Sequence, residues 1–256
     1  MTGWFAVFRK EAANFFVSPI AYSVIAIFLA ISGLFFFAYI SLMSQVSLQA
    51  MNNPMIGQRI NLTDVVFRPV VSTMSIILLF VSPLLTMRLF SEEKKSGTIE
   101  LLLTYPVTDT GVLAGKFLAA LSVLAVLLAG TASYPLLLLS VGKLDAGIVL
   151  TAYLGMLLLG AAFMALGTFI SSLTENQIIS AAIAFGAALL FWIISHMGSM
   201  TGEPLASILK QLSIVEHLES FQKGILSLAD LSYFVLFAAF FLFLTLRSLE
   251  THRWRG

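Results

Sequence analysis

Ile148–Ile170 reads IVLTAYLGMLLLGAAFMALGTFI, an apolar stretch without one Asp, Glu, Lys or Arg. As an α-helix, rising about 1.5 Å per residue, it would be roughly 35 Å long and would cross a hydrocarbon layer of about 30 Å. Five more runs of this kind lie on either side, at approximately Ile20–Met43, Val70–Met87, Val112–Val141, Ile178–Ser195 and Leu231–Leu246. The pattern predicts an all-α polytopic membrane protein with six transmembrane helices, because only helices satisfy their own backbone in lipid without a closed barrel.

The whole chain agrees. Of its 256 residues 59% are hydrophobic and 11% charged, against about 45–50% and about 25% in soluble domains, so it lacks the charge to clothe a water-soluble surface. The net charge of +1 points to no nucleic-acid partner. Cysteine is absent, which removes disulfides, thiolate metal sites and cysteine nucleophiles. The first run is too long for a signal-peptide core of about 7–15 residues and reads as a retained span.

An even number of spans places both termini on one side. With the N-terminus inside, the inner segments hold nine Lys or Arg (Arg9, Lys10, Arg88, Lys94, Lys95, Lys116, Arg247, Arg253, Arg255) and the outer ones five (Arg59, Arg68, Lys143, Lys210, Lys223). The positive-inside bias therefore predicts cytoplasmic N- and C-termini.

Between the spans the chain is patterned. Trp4, Phe5, Phe8, Ala12, Phe15 and Phe16 recur at helical spacing, with Arg9, Lys10 and Asn14 elsewhere on the wheel. This predicts an amphipathic interfacial helix over residues 1–18, ended by Ser18-Pro19. Ser44–Pro69 reads as a polar outer segment, and Leu205, Ile208, Leu212, Val215 and Leu218 predict a helix on or dipping into the membrane within an outer segment over 197–230. No linker or repeat divides residues 1–256, so a single membrane domain is expected.

The six runs are read as free of Asp, Glu, Lys and Arg in their interiors, with Lys116 counted among the inner flanking charges. That disfavours a proton-coupled carrier, which trades protons on such groups. His196, His217 and His252 form no H-E-x-x-H zinc motif. Gly111–Phe117 falls one residue short of a phosphate loop and has Phe117 where a magnesium-binding Ser or Thr belongs, so the chain is expected neither to hydrolyse ATP nor to catalyse a reaction itself.

The densest charge cluster runs from Arg88 to Pro106, between the second and third spans. A short helix can start at Thr98, with Glu100 favourable in its first turn and Pro106 ending it. Charged shoulders around Ile99, Leu101 and Leu102 describe a docking surface for a partner's groove. A solvated topogenic loop fits the same residues.

EEKKSGTIELLLTYPV (Glu92–Val107) followed by Gly115-Lys116-Phe117 resembles the coupling region of ABC-2 type transporter permeases. SPIAY (Ser18–Tyr22), EHLESFQKG (Glu216–Gly224) and DLSYF (Asp230–Phe234) resemble the GldF-like, gliding-motility-associated branch, and more distantly NosY-like permeases. The resemblance implies an amphipathic connecting helix, a cytoplasmic coupling helix between spans 2 and 3 (region 88–107), and short re-entrant helices between spans 5 and 6. It implies ATPase-coupling positions at Glu92, Glu93, Gly97, Thr98, Glu100 and Leu101, with a second contact on the connecting helix at Arg9, Lys10, Glu11 and Asn14.

The expected partners are a cytoplasmic ABC ATPase carrying the ATP and magnesium, a second permease copy or related membrane subunit, a GldG-type accessory protein, and lipid. No cofactor is expected on this chain itself. The expected place is the bacterial cytoplasmic (inner) membrane. Two functions stay open: a permease for export, or a membrane anchor through which the same engine moves an envelope assembly. Small residues in the fourth span (Gly160, Ala161, Ala162, Ala165, Gly167) suit either a dimer interface or packing within the chain.

Overall fold

The computed structural model describes residues 3–52, 61–98, 107–142, 144–200, 202 and 205–253, and the regular structure among them is entirely helical. The elements are α1 (Gly3–Val17), α2 (Pro19–Asn52), a short π-helix (Thr63–Phe67) continuing into α3 (Arg68–Thr86), α4 (Ser91–Lys95), α5 (Asp109–Thr131) and α6 (Ser133–Val141). They continue with α7 (Ala146–Ser171), α8 (Gln177–Met200), α9 (Leu205–Leu212), α10 (Ile214–Gln222) and α11 (Leu228–Arg253). Six helical stretches among the described residues are long and apolar enough to span a membrane: Pro19–Ala50, Thr63–Lys95, Asp109–Ser140, Ala146–Ser171, Gln177–Ile194 and Leu228–Thr251.

Side-chain oxygens start three of these helices. The Thr108 hydroxyl accepts from Gly111 N at 3.2 Å, Asp145 Oδ1 from Gly147 N at 2.8 Å, and Asn176 Oδ1 from Ile178 N at 2.9 Å. Each satisfies an amide that the first turn leaves without an intrahelical partner. Pro19 opens α2, where its missing N–H costs nothing.

Spans 2, 3 and 4 form the centre, with 61%, 56% and 56% of their apolar windows buried, whereas spans 1, 5 and 6 bury only 28%, 17% and 17% and lie outside. Glycines set the central spacing. A Cβ on Gly160 of α7 would stand 2.5 Å from Leu124 of α5, one on Gly155 would stand 2.6 Å from Phe221 of α10, and one on Gly167 would collide with Thr86 of α3. Ala162 and Ala165 are fully buried. Gly160, Ala162, Ala165 and Gly167 of span 4 thus pack within the chain, whereas Ala161 is partly exposed.

The expected boundaries need three corrections. First, α2 continues through Ser44 to Asn52, so that part of the expected polar segment is helix. Second, span 3 is broken at Ala132, with Pro135 just beyond. Proline cannot donate to the carbonyl four residues back, that of Thr131, and the Tyr153 hydroxyl of α7 donates to it instead at 2.8 Å. A freed backbone acceptor is thereby satisfied by a neighbouring helix. Third, where the periodicity predicted one helix between spans 5 and 6 there are two short ones, α9 and α10, as the resemblance implied. Ser213 caps the second, accepting from Glu216 N at 3.3 Å, so Ile208 and Leu212 stay exposed while Leu218 turns inward.

Replacing Gly160 with Leu overpacks the contact with Leu124 and costs about 1–3 kcal/mol or more. The expected result is a melting midpoint in detergent lowered by about 5 °C, measured by fluorescence-detected chromatography after heating. Gly186→Leu, where nothing lies within 4 Å of the added Cβ, leaves the midpoint unchanged.

Candidate functional site

The densest polar construction lies at the end of the bundle where α1, α4 and the start of α5 meet. Gly115 makes the meeting possible: a Cβ there would lie 2.8 Å from the Trp4 carbonyl oxygen and from Val7 Cβ, and 2.9 Å from Phe8 N. With only hydrogen at that position, the α1 backbone rests on α5 and covers the next residue, Lys116. Phe8, Ala12 and Phe15 of α1 join the protein core, whereas Trp4 and Phe5 stay about two-fifths exposed. The apolar face of α1 is therefore shared between protein and surface, where lying on lipid alone was expected.

Lys116 is 1% exposed. Its Nζ donates to Glu11 Oε1 of α1 at 3.0 Å and to Glu93 Oε1 of α4 at 2.8 Å, and stands 5.4 Å from the Phe90 ring centre. Both carboxylates are mostly buried. The second oxygen of Glu93 is buried and has no hydrogen-bond partner among the described residues. Taking these charges out of water is expensive, and their attraction repays the cost only in good geometry. Removing one member of such a cluster costs about 3–5 kcal/mol because the remaining charges are left unpaired. Three elements far apart in sequence are thus held in one arrangement.

The other side of α4 is fastened to span 4. The Ser171 hydroxyl accepts from Phe90 N at 3.1 Å and Ser91 N at 3.2 Å and donates to the Met87 carbonyl at 3.0 Å. Lys94 Nζ donates to the Ser172 carbonyl, which also accepts from Ser248 of α11 at 3.2 Å. Arg88 lies over the Phe15 ring at 4.9 Å and donates to the Ser18 hydroxyl at 3.1 Å, tying the end of span 2 to the joint between α1 and α2. After α4 the chain turns at Gly97, whose φ of +68° favours a residue without a side chain. Thr98 N then closes the turn by donating to the Glu93 carbonyl at 3.0 Å.

These elements enclose an open cleft of about 430 Å³ lined by Lys10, Glu11, Asn14, Phe15, Arg88, Leu89, Glu92, Glu93, Ser96, Thr98 and Lys116. The structure brings together Lys10, Glu11, Asn14, Glu92, Glu93 and Thr98 from the sequence-predicted set. Arg9 is exposed and does not line the cleft. Gly97 shapes the turn beside it. Glu100 and Leu101, and the expected short helix beyond Thr98, fall within 99–106 and lie outside the described residues.

Lys116 is the residue that sequence reading misplaced: it is a buried tie within the first turns of span 3, where a flanking surface charge was expected. The available signal was a lone lysine inside an apolar run, since an ionisable group there is expensive and needs a partner. The Gly115-Lys116 pair has a positive account too, in close helix approach and carboxylate pairing. Among the described residues no group of three or more His, Cys, Asp or Glu could hold a metal ion. What the cluster can do is transmit force and fix relative position.

The opposite end holds the other motif residues. On α10, Ile214, Leu218 and Phe221 are buried against span 4. Gln222 accepts on its carbonyl from Arg68 Nε at 3.2 Å and on its side chain from the Ser72 hydroxyl at 3.2 Å, both at the start of α3. His217 meets Asp230 and Tyr233 of α11.

A family model described as ABC-2 family transporter protein matches residues 5–248, which takes in α1, the cleft and the helices at the opposite end. Comparison with curated proteins finds no match. With six apolar spans and a family match over nearly its whole length, the chain belongs to the ABC-2 family of membrane transporter proteins.

Proposed function

We propose that this chain is the permease through which a separate ABC ATPase drives export or movement of a substrate across the bacterial cytoplasmic membrane, and that the cleft between α1 and α4 receives the motion. The observation that carries the reading is Lys116, buried between Glu11 and Glu93. A partner seated on α1 and on the segment after α4 touches two elements that cannot part from α5 without stranding buried charge. α4 follows span 2 and α5 begins span 3, so a push there re-tilts both spans together.

In this reading both termini are cytoplasmic, and ATP and magnesium reside on the partner ATPase. Binding energy on the ATPase shifts the permease only through contacts that differ between its states. Glu92, Lys10 and Asn14 on the cleft lining, with Arg9 beside it, form the recognition surface together with Glu100 and Leu101 of the segment that follows in the sequence. Gly97 and Thr98 set the turn. The apolar outer faces of spans 1, 5 and 6 receive lipid and a second copy or a related membrane subunit. The motifs at Ser18–Tyr22, Glu216–Gly224 and Asp230–Phe234 favour the GldF-like branch and, with it, a GldG-type accessory protein. A membrane anchor that transmits ATPase motion to an envelope assembly is the second reading, favoured by the α9–α10 pair as a handle on the outer side.

Two outcomes are expected. Glu100→Arg with Leu101→Asp abolishes capture of the co-expressed ATPase in pull-down while the chain still inserts. Unchanged capture would leave 99–106 a topogenic loop. Lys116→Met retains capture, because the recognition surface is intact, but lowers permease-dependent stimulation of ATP hydrolysis by about tenfold or more, in line with a loss of a few kcal/mol in the joint. Normal stimulation would remove Lys116 from the coupling path.

A further inference from the structure

His217 sits between two groups that can only accept. Its Nδ1 is 2.6 Å from Asp230 Oδ1 and its Nε2 is 3.0 Å from the Gln211 carbonyl oxygen. A carbonyl and a carboxylate have no proton to give, so both bonds form only when both ring nitrogens carry hydrogen, that is, as imidazolium. The ring also stacks on Tyr233 at 4.0 Å with 22° between planes, and the Tyr233 hydroxyl donates to the Leu212 carbonyl at 2.8 Å. Gln211 and Leu212 are the last residues of α9, where helix carbonyls lack intrahelical partners and carry partial negative charge.

We infer that His217 is a proton-operated latch: doubly protonated it ties the C-terminal end of α9 to α10 and span 6 through Gln211, and on losing a proton it leaves that end held by the Tyr233–Leu212 bond, free to loosen. In the neutral ring one nitrogen turns a lone pair on an oxygen. The charge-assisted bond to Asp230 is the stronger of the two, so the remaining proton stays on Nδ1 and the Gln211 tie is lost. α9 is the less anchored partner of the tie: it packs along α8 with Ile208 and Leu212 about half exposed, whereas Ile214, Leu218 and Phe221 anchor α10 in the core.

Among the described residues, Asp230 and Tyr233 of α11 are the titratable groups in contact with the ring. On α10 Glu216 adjoins it in sequence and Glu219 pairs with Lys223. On α9 Lys210 is exposed. The Tyr153 hydroxyl of α7 is directed to Thr131, and α8 carries no Asp, Glu, Lys or Arg, its one histidine being His196 near its end. The sign follows from the bonding: the tie needs hydrogen on both ring nitrogens, so it is present at low pH and absent once the ring is neutral. One proton changes the closed-to-open ratio by at most about tenfold per pH unit. The latch depends on the fold alone. With both termini cytoplasmic it senses the pH outside.

The chain has no cysteine, so Lys210→Cys and Ser232→Cys give a clean spin-label pair in lipid nanodiscs. The expected result is a narrow distance distribution at pH 5.5 that broadens towards longer distances at pH 8.5. Asp230→Asn, whose amide can donate to Nδ1 and leave hydrogen on Nε2, stays closed at both pH values. His217→Gln shows no pH response. Identical distributions at the two pH values without further substitution, or an unchanged pH response in Asp230→Asn, would overturn the latch.

Discussion

The ammonium of Lys116, buried at the mouth of the bundle, cannot exist there without Glu11 and Glu93, and the geometry of that end follows from the need. Bringing Glu11 within 3.0 Å requires α1 to lie directly on α5, which Gly115 permits by having no side chain. Bringing Glu93 within 2.8 Å requires α4 to fold back over the end of span 3, and Ser171 and Ser172 hold α4 from the other side. The joint is rigid because every departure from it exposes a buried charge to an apolar surrounding.

Rigidity there contrasts with the rest of the molecule. Spans 2, 3 and 4 are locked by glycine-mediated contacts, while spans 1, 5 and 6 show most of their apolar surface to the outside. A buried central core fastened at one end, within an outer layer that shows most of its apolar surface, suits the proposed role of a motion-transmitting subunit. In the proposed function force would enter through the gripped end, and rearrangement would occur where helices meet lipid or a second copy. At the opposite end α10 repeats the gripping pattern with Phe221 and Gln222, while α9 lies along α8 with Ile208 and Leu212 about half exposed.

Much of the fold was legible in the sequence because its cause is local. Ile148–Ile170 has to span because nothing in it can face water, and Ser18-Pro19 has to break the helix before it. The site was legible only in part. Glu93 and Thr98 announced themselves as a charge cluster, but Lys116 reaches partners 105 and 23 positions away, a pairing no local pattern encodes. The proper reading of Gly115 likewise needed its neighbour on α1. The Ala132 break did have a sequence sign in Pro135; the compensating Tyr153 hydroxyl, on another helix, did not.

The central claim is that Glu93 and Lys116 act as one coupling unit, and a double-mutant cycle on permease-stimulated ATP hydrolysis tests it most directly. Lys116→Met, Glu93→Gln and the pair would be compared in the assembled complex at equal incorporation. The account predicts that the double variant loses no more stimulation than the worse single variant, since breaking one pairing already uncouples the joint. Losses that multiply, as for independent sites, would contradict it.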